Sequence, residues 1–432
     1  MRFVSTRGGT EPASLSDAIA RGLAPDGGLF VPDAFPEADL EALRTATTTA
    51  EVAVALLTPF FAGDRLEGEL TAICREAFNF PSPLVDLPRD SAVLELFRGP
   101  TAAFKDFGAR FLAATLSRLS DDSHISSADH PDRPVTILVA TSGDTGGAVA
   151  AAFAGRPGFR VVVLYPKGMV SDRQERQLTC WGGNITALRV RGDFDACQRM
   201  VKEAFADESL REEYRLTSAN SISLGRLLPQ MVYYAQASLQ YEQRHGTPAG
   251  FVIPSGNLGN ATACYWARKM GLPIREIVLA TNRNKTVTRF VEQGLWEPAP
   301  TVATLASAMD VGNPSNMERL FSLHGGQSGA RNAIRAVLVD DDTIRETIRR
   351  GPSEWGQVWD PHTATAVTVR EAIPSPHWVI VSTAHPAKFE AIVEPLIGRE
   401  LPVPSALAEL LDREMDFQEV DAKLDSLAAV LT

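Results

Sequence analysis

Cysteine is scarce in this chain, and positive charge is outnumbered by negative charge. Only four cysteines occur among the 432 residues, far apart and without a C-x-x-C pair. This usage disfavours a disulfide framework and a metal site, and it predicts reduced thiols in a cytoplasmic protein. The 42 Lys and Arg face 53 Asp and Glu, so the net charge is -11, and no basic run compensates for it. Because nucleic-acid-binding surfaces carry a positive field, no nucleic-acid partner is expected.

Long apolar runs and nucleotide-binding motifs are also absent. No run approaches the ~20 apolar residues that a membrane span needs, and the segment Met1–Gly9 lacks the apolar core of a signal peptide. No membrane partner is therefore expected. Neither G-x-x-x-x-G-K-[ST] nor G-x-G-x-x-G occurs, and this disfavours an enzyme that binds ATP or NAD.

The composition that remains is that of a globular α/β protein. Hydrophobic residues make up 44% and charged residues 22% of the chain, which is long enough for two or three domains. We predict a mainly helical N-terminal region at residues 1–95, with helices near Ala38–Ala46 and Thr49–Phe61. A smaller α/β domain is predicted at residues 96–240 and a larger one at 241–432.

From Val135 onward, short β-branched runs alternate with Ala-rich amphipathic segments. This alternation predicts a mostly parallel sheet with helices on both faces, in which ligands bind at the carboxyl ends of the strands. The predicted strands are Val135–Ala140, Arg160–Leu164, Phe251–Ile253, Glu276–Ala280 and Trp378–Val381. The predicted helices are Gly147–Ala154, Asp195–Ala206, Ile222–Arg244, Ala261–Met270 and Ala387–Ile397, with a further helical pattern around Ala333–Arg350.

One segment, Leu119–Arg133, interrupts this alternation. It is rich in Ser, Asp and Pro and precedes a strong strand, so it is expected to form an exposed loop. A tolerated insertion and a regulatory segment are both compatible with this composition.

Lys105 is the most informative residue of the sequence. It lies in Glu95–Arg110, among apolar and small neighbours and directly before Asp106. Lysine is seldom fully buried, and burial lowers the pKa of the ammonium group and makes the amine a nucleophile able to form a Schiff base. A surface lysine whose stem covers apolar neighbours is the alternative, and this stretch alone leaves both open.

Three segments that follow predicted strands carry small polar residues. Thr141–Gly147 (TSGDTGG) and Pro254–Asn260 (PSGNLGN) combine glycines with the start of a helix, which favours an anion site, although a capped glycine turn is the alternative for the first. Ser382–Phe389 (STAHPAKF) brings hydroxyls, His385 and Lys388. A lysine, two anion loops and a hydroxyl at a strand end together indicate pyridoxal phosphate, which needs an aldehyde partner, a phosphate site and a partner for its ring nitrogen.

The sequence resembles the threonine synthases, of the branch found in many bacteria and in fungi, along almost its whole length. The segments that carry the resemblance are STRG at Ser5–Gly8, APDGGLF at Ala24–Phe30, GPTAAFKDFG at Gly99–Gly108, TSGDTG at Thr141–Gly146, GDFDACQ at Gly192–Gln198, SANSIS at Ser218–Ser223, PSGNLGN at Pro254–Asn260, AMDVGNPSN at Ala308–Asn316 and STAHPAKF at Ser382–Phe389.

The resemblance implies a fold and a set of cofactor contacts. The fold is the pyridoxal-phosphate fold of the tryptophan synthase β type, with two open, mostly parallel sheets, helices on both faces and a helical N-terminal region. Lys105 is then the Schiff-base lysine. Asp144 lies near the phenolic oxygen of the cofactor, and Thr383 faces the pyridine nitrogen, with Ser382 as the alternative. The phosphate site is the loop of Ser255, Gly256, Asn257, Leu258 and Gly259.

The resemblance also implies the activity of a carbon–oxygen lyase that converts O-phospho-L-homoserine and water to L-threonine and phosphate. In that reaction Lys105, once displaced by the substrate amine, acts as the base at Cα. The substrate carboxylate is assigned to Ser142, the Asp144 backbone and Thr145. The substrate phosphate is assigned to Asn220, Ser221, Arg226 and Lys388, although Arg226 also fits a helix-surface position.

Two alternatives stay open at this point. A phospho-lyase on the same fold would release 2-oxobutanoate, and a non-catalytic relic would keep only the fold and the cofactor. No metal is expected, and a monomer or a homodimer is expected.

Overall fold

Thirteen strands form three sheets in the part of the chain that a computed structural model describes, residues 1–119 and 133–432. The strands are β1 Phe3–Ser5, β2 Phe30–Pro32, β3 Leu84–Leu87, β4 Ser91–Glu95, β5 Val135–Ala140, β6 Phe159–Pro166, β7 Ile185–Arg191, β8 Leu216–Ser218, β9 Ala249–Pro254, β10 Ile274–Thr281, β11 Arg335–Leu338, β12 Trp378–Ser382 and β13 Gln418–Asp421.

Helices connect and cover these strands. The α-helices are α1 Leu15–Arg21, α2 Leu40–Thr45, α3 Thr49–Phe61, α4 Leu70–Ala77, α5 Lys105–Leu119, α6 Asp144–Phe153, α7 Asp172–Thr179, α8 Phe194–Ala206, α9 Glu208–Glu213, α10 Leu224–Leu227, α11 Gln230–His245, α12 Gly259–Lys269, α13 Thr286–Gln293, α14 Met317–Leu323, α15 Gln327–Ala333, α16 Asp341–Glu354, α17 Pro361–Glu371, α18 Glu390–Ile397, α19 Ser405–Leu411 and α20 Leu424–Leu431. Short 3-10 turns lie at Glu67–Glu69, Ser307–Met309 and Pro386–Phe389. No helix of the described ranges has both the length and the apolar character to cross a membrane.

The larger sheet has six strands in the order β11-β10-β9-β12-β4-β3, and all its neighbours are parallel except β3 and β4. Its central strands β9 and β12 are buried at every position, as expected for strands covered on both faces. Successive residues point to opposite faces, so Phe251 and Ile253 pack in the core that holds α11 and α12, whereas Val252 packs in the core of α16 and α17.

The smaller sheet has five parallel strands in the order β13-β7-β6-β5-β8. Helices α6 and α8 pack on its inner strands. The N-terminal helices α1, α3 and α4 pack on α5 and α11, where the ring of Phe61 meets Phe111 edge-on at 6.3 Å. The predicted architecture, two open and mostly parallel sheets with a helical N-terminal region, is confirmed.

The five predicted strands are confirmed, four of them longer by one or two residues at one or both ends. Thr49–Phe61 is confirmed with its bounds, fixed at the start by a capping box in which Thr48 and Glu51 bond reciprocally. The predicted helix Ile222–Arg244 is wrong as one element. It divides into α10 and α11, because Pro229 between them has no N–H for a helical bond.

The helical prediction for Ala333–Arg350 is wrong at its start. Arg335–Leu338 forms β11, an edge strand beside β10, and the helix α16 begins only at Asp341. Sheet membership also crosses the predicted divisions at residues 95 and 240. Strands β3 and β4 precede residue 96 yet belong to the larger sheet, and β13 near the C-terminus joins the smaller one. The domain bounds themselves stay a proposal. The segment predicted as a loop, Leu119–Arg133, lies outside the described residues except at its two ends.

Candidate active site

A single cleft of about 1770 Å³ collects the predicted site residues at the carboxyl ends of β5, β9 and β12. Its walls include the predicted residues Lys105, Ser142, Asp144, Thr145, Asn220, Ser221, Arg226, Ser255, Gly256, Asn257, Leu258, Gly259 and Thr383. Lys388 does not line it, and neither does Ser382, the alternative to Thr383. The described residues contain no grouping of His, Cys, Asp and Glu that could hold a metal ion.

The position of Lys105 is set by the turn before it. Helix α5 begins at Lys105, and the carboxylate of Asp106 accepts bonds from the N–H (2.9 Å) and hydroxyl (2.7 Å) of Thr101. Two backbone hydrogen bonds tie this turn to the end of β12. Phe104 N–H donates to Thr383 O at 2.8 Å, and His385 N–H donates to Ala102 O at 3.0 Å. Lys105 is therefore held beside the residue predicted to meet the cofactor ring.

The Lys105 side chain is half-buried, and its Nζ donates to Thr145 Oγ1 at 2.7 Å. Burial lowers the pKa of its ammonium group from 10.5 to about 8. The Asp144 carboxylate opposes this shift, whereas the positive charges of Arg226 and Lys388 add to it. At neutral pH an appreciable fraction of the amine is thus unprotonated, which suits a nucleophile and a base.

The loop after β5 turns sharply into α6. Thr141 Oγ1 accepts from the N–H groups of Gly143 (3.0 Å) and Gly146 (2.9 Å). Gly143 has a φ of +131°, and a Cβ there would lie 2.6 Å from Gln174 Nε2. Since α6 begins at Asp144, the remaining first-turn N–H groups, at Asp144 and Thr145, lack helical partners. Both residues line the cleft, as Lys105 does.

The loop after β9 forms a close-packed cradle. Ser255 N–H donates to Ala280 O, and its hydroxyl donates to Ile253 O, both at 2.8 Å. A Cβ at Gly256 would lie 2.7 Å from Met309 Cα. Leu258 is left-handed with φ +63°, and α12 begins at Gly259. The first N–H groups of α12 therefore open into the cleft at a positive helix end, a setting for a phosphate.

Neighbouring hydroxyls at the end of β12 point to different surroundings. Thr383 lines the cleft. Ser382 is buried, and its Oγ lies 3.0 Å from Thr363 Oγ1 on α17. Thr383 is therefore the hydroxyl within reach of a ligand in the cleft.

Arg226 and two neighbours carry buried polar atoms without a partner. Arg226 is 3% exposed. Its NH1 donates to Ala219 O at 2.6 Å, and burial lowers the pKa of its guanidinium to about 10. Within the described ranges, Arg226 Nε, Ser223 Oγ and Asn260 Nδ2 have no hydrogen-bond partner, and all three residues line the cleft. Such orphaned groups cost free energy unless a ligand or water satisfies them.

Lys388 lies away from the cleft surface. Its side chain is fully buried, with Nζ 2.8 Å from Asp144 Oδ1 and 2.7 Å from Thr101 O. The 3-10 turn at Pro386–Phe389 directs it inward. Its predicted role as a phosphate ligand is not retained, since its charge already has a buried partner.

Sequence reasoning missed His362, which also lines the cleft. Its Nδ1 lies 2.7 Å from Asp360 Oδ1, and its Nε2 accepts from Ala308 N–H at 3.0 Å. The imidazole thus holds the segment that contains Met309 against Gly256. The sequence did carry a signal for the helix start, because Asp360-Pro361 predicts an N-cap followed by Pro at the first helical position. This pattern did not indicate that the helix reaches the cleft. Asn316 was missed too; its Nδ2 donates to Asn257 O at 3.0 Å.

Together these groups fit pyridoxal phosphate. An amine of lowered pKa can meet the aldehyde, a helix start with a glycine cradle can hold the phosphate, and a hydroxyl at a strand end can meet the ring nitrogen. The orphaned polar atoms of Arg226, Ser223 and Asn260 are not part of this set.

Family models cover nearly the whole chain. Residues 76–383 match the family described as pyridoxal-phosphate dependent enzyme. Residues 2–78 match the threonine synthase N terminus, and residues 363–431 match the threonine synthase C-terminal family.

Curated relatives and solved structures agree with these matches. Threonine synthase of Escherichia coli is 41% identical over 438 residues, covering 100% of this chain and 99% of the relative. That of Saccharomyces cerevisiae is 32% identical, covering 92% and 89%. The crystal structure of the Escherichia coli protein superposes with a TM-score of 0.90 at 38% identity, covering 100% and 99% of the two chains. The crystal structure of the pyridoxal-phosphate-bound threonine synthase of Brucella melitensis superposes with a TM-score of 0.90 at 35% identity, covering 100% of this chain and 98% of the other.

Proposed function

The chain belongs to the threonine synthases, a family of pyridoxal-phosphate-dependent enzymes, and on that premise we propose that it converts O-phospho-L-homoserine and water to L-threonine and phosphate. Pyridoxal phosphate is its cofactor. The observation that supports the proposal is one cleft that Lys105, with its lowered pKa, lines together with the loops after β5 and β9.

Four groups would hold the cofactor. The Lys105 amine would take its aldehyde, the N–H groups of Ser255–Gly259 its phosphate, and the Thr383 hydroxyl its ring nitrogen. Asp144 would lie near its phenolic oxygen. When bound, pyridoxal phosphate withdraws electrons from the substrate and so acidifies its carbon-bound hydrogens.

The substrate carboxylate is proposed to bind the loop after β5. Ser142 and Thr145 are half-buried in the cleft wall and offer hydroxyls, and the backbone N–H of Asp144 starts α6. The positive end of that helix favours a carboxylate. This arrangement would place the substrate Cα near Lys105, whose Nζ already reaches Thr145.

The substrate phosphate is proposed to bind beyond the cofactor, among the orphaned donors. Arg226 supplies a buried positive charge with a free Nε, and Asn260 and Ser223 supply further unpartnered groups. Asn220 and Ser221 lie on the same wall. Ser221 Oγ accepts from Asn257 Nδ2 at 2.6 Å, which leaves its own proton for a ligand. A phosphate would satisfy these groups at once.

Lys105 is proposed to move the protons at Cα. A base with a pKa near the working pH combines a sizeable unprotonated fraction with adequate basicity.

The test is the identity of the product. Purified protein supplied with O-phospho-L-homoserine should release threonine and phosphate in equal amounts. Release of 2-oxobutanoate with phosphate would indicate the lyase instead, and a protein that binds no cofactor would indicate the relic.

We also propose a cytoplasmic location. Four buried, unpaired cysteines in the described residues fit a reducing cytoplasm. A monomer or homodimer is proposed, and light scattering coupled to gel filtration distinguishes the two.

A further inference from the structure

Lys388 and Asp144 form an ion pair near the reactive amine, in which Asp144 lines the cleft and Lys388 does not. Lys388 is 0% and Asp144 4% exposed, and Lys388 Nζ lies 2.8 Å from Asp144 Oδ1. Lys388 follows β12 of the larger sheet, whereas Asp144 begins α6 beside the smaller sheet. The pair therefore joins the two sheets at the base of the cleft.

The partners of this pair are few and well defined. Lys388 Nζ also donates to Thr101 O at 2.7 Å, in the turn that positions Lys105. Gln177 Nε2 donates to the same carbonyl at 3.1 Å, and Gln174 Nε2 donates to Asp144 Oδ1 at 3.2 Å. Among the described residues whose charges act on the Lys105 ammonium group, Asp144 is the only carboxylate.

We propose that Lys388 is a positioning residue: its ammonium group engages the Asp144 carboxylate and so keeps that carboxylate from capturing the Lys105 ammonium. This inference rests on the proposed role of Lys105. Without Lys388, Asp144 would be a buried carboxylate with Lys105 as its nearest cation. The Lys105 amine would then stay protonated at neutral pH and be lost as nucleophile and base.

The charges around the two groups support this direction. Lys105 is acted on by Asp144, Arg226 and Lys388, of which only Asp144 raises its pKa. The pKa of Asp144 lies below its usual range despite burial, because Lys388, Lys105 and His362 favour its charged form. Removing Lys388 takes away one positive neighbour of Lys105 and frees the one negative neighbour.

The experiment measures the Lys105 amine itself rather than turnover. Full-length protein freed of cofactor is labelled with trace acetic anhydride at a series of pH values, and the labelled Lys105 peptide is quantified by mass spectrometry. Lys388→Met should move the pH midpoint of Lys105 labelling upward by about one pH unit or more. The labelling of Lys105 at neutral pH should then be about tenfold slower. An unchanged midpoint in a folded variant would overturn the proposal.

Two controls separate charge from structure. Gln177→Leu removes a bond to the same Thr101 carbonyl without changing charge, so its midpoint should match the wild type. If it shifts as far as that of Lys388→Met, the role of Lys388 is structural. The double variant Asp144→Asn with Lys388→Met removes both charges and should return the midpoint to near the wild-type value, while a midpoint as high as in Lys388→Met would refute the route through Asp144.

A second comparison covers the case in which Lys388→Met does not fold, because removing one partner of a buried pair is strongly destabilising. The double variant has no unpaired charge. Because Lys388 is proposed to act through Asp144, removing it from a protein that already carries Asp144→Asn should move the Lys105 midpoint little. A midpoint in Asp144→Asn that lies about one pH unit or more from that of the double variant would show that Lys388 acts on Lys105 by its own charge, and would contradict the proposal. The readout stands apart from the proposed function, since a missing threonine product would leave these midpoints unaffected.

Discussion

Gly256 is the position at which a single methyl group should weaken cofactor binding. Its φ is not in the left-handed region, so alanine there brings no backbone strain, only bulk. The added Cβ would lie 2.7 Å from Met309 Cα and 3.1 Å from the carbonyl carbon and oxygen of the same residue. Carbon atoms normally rest at about 3.5 Å or more, so one of the two backbone segments must move by roughly 0.8 Å.

The magnitude follows from the length of a hydrogen bond. A shift of roughly 0.8 Å takes a loop N–H outside hydrogen-bond range of a phosphate oxygen held elsewhere in the site. One lost bond to a charged acceptor costs about 1.5–3 kcal/mol. That corresponds to about ten- to hundredfold weaker cofactor binding.

The assay is a titration of cofactor-free Gly256→Ala with pyridoxal phosphate, followed by absorbance, together with thermal unfolding of the cofactor-free protein. The matched control is Gly147→Ala in α6, where the nearest atom to the new Cβ is 3.6 Å away. That change should leave affinity unaltered and stabilise the helix by about 0.5–1 kcal/mol. A folded Gly256→Ala protein that binds the cofactor as the wild type does would refute the cradle.

Three further outcomes are expected. Thr383→Val should lower the turnover rate with the cofactor retained, because Thr383 lines the cleft. Ser382→Ala should lower the rate less, because the Ser382 hydroxyl bonds Thr363. A larger loss of rate in Ser382→Ala than in Thr383→Val would show that the register of this strand end is misassigned. Arg226→Ala should lower kcat/KM for O-phosphohomoserine by about tenfold or more while sparing the small activity on homoserine, and equal losses would make Arg226 structural. The rate at which cofactor-free protein captures pyridoxal phosphate should rise with pH through about 8, because the deprotonated Lys105 amine is the reactive form; a rate independent of pH across that value would contradict this.

Much of the fold was predictable because its main strands are apolar runs bounded by turn residues. β5, β9 and β12 are buried along their length, and burial on both faces leaves a signal in the sequence itself. Edge strands leave a weaker signal in the sequence. β11 is mostly exposed and only four residues long, so its pairing with β10, rather than its own sequence, decides its structure.

The candidate site was predictable as far as backbone loops define it. Gly256 and Lys105 lie in segments whose glycines and helix starts are visible in the sequence. The direction of a long side chain is not visible there. Lys388 follows a strand end that reaches the cleft, yet a 3-10 turn directs it into the interior, where Asp144 pairs with it. His362 reaches the cleft through the packing of α17 on β9 and β12.

The most direct test of the central claim is to find which lysine holds the cofactor. The loaded enzyme is reduced with borohydride, digested, and mapped by mass spectrometry for the peptide that carries the pyridoxyl group. The modification should lie on Lys105, and Lys105→Ala should carry none and release no threonine from O-phospho-L-homoserine. A modification on another lysine, or full turnover in Lys105→Ala, would contradict the account.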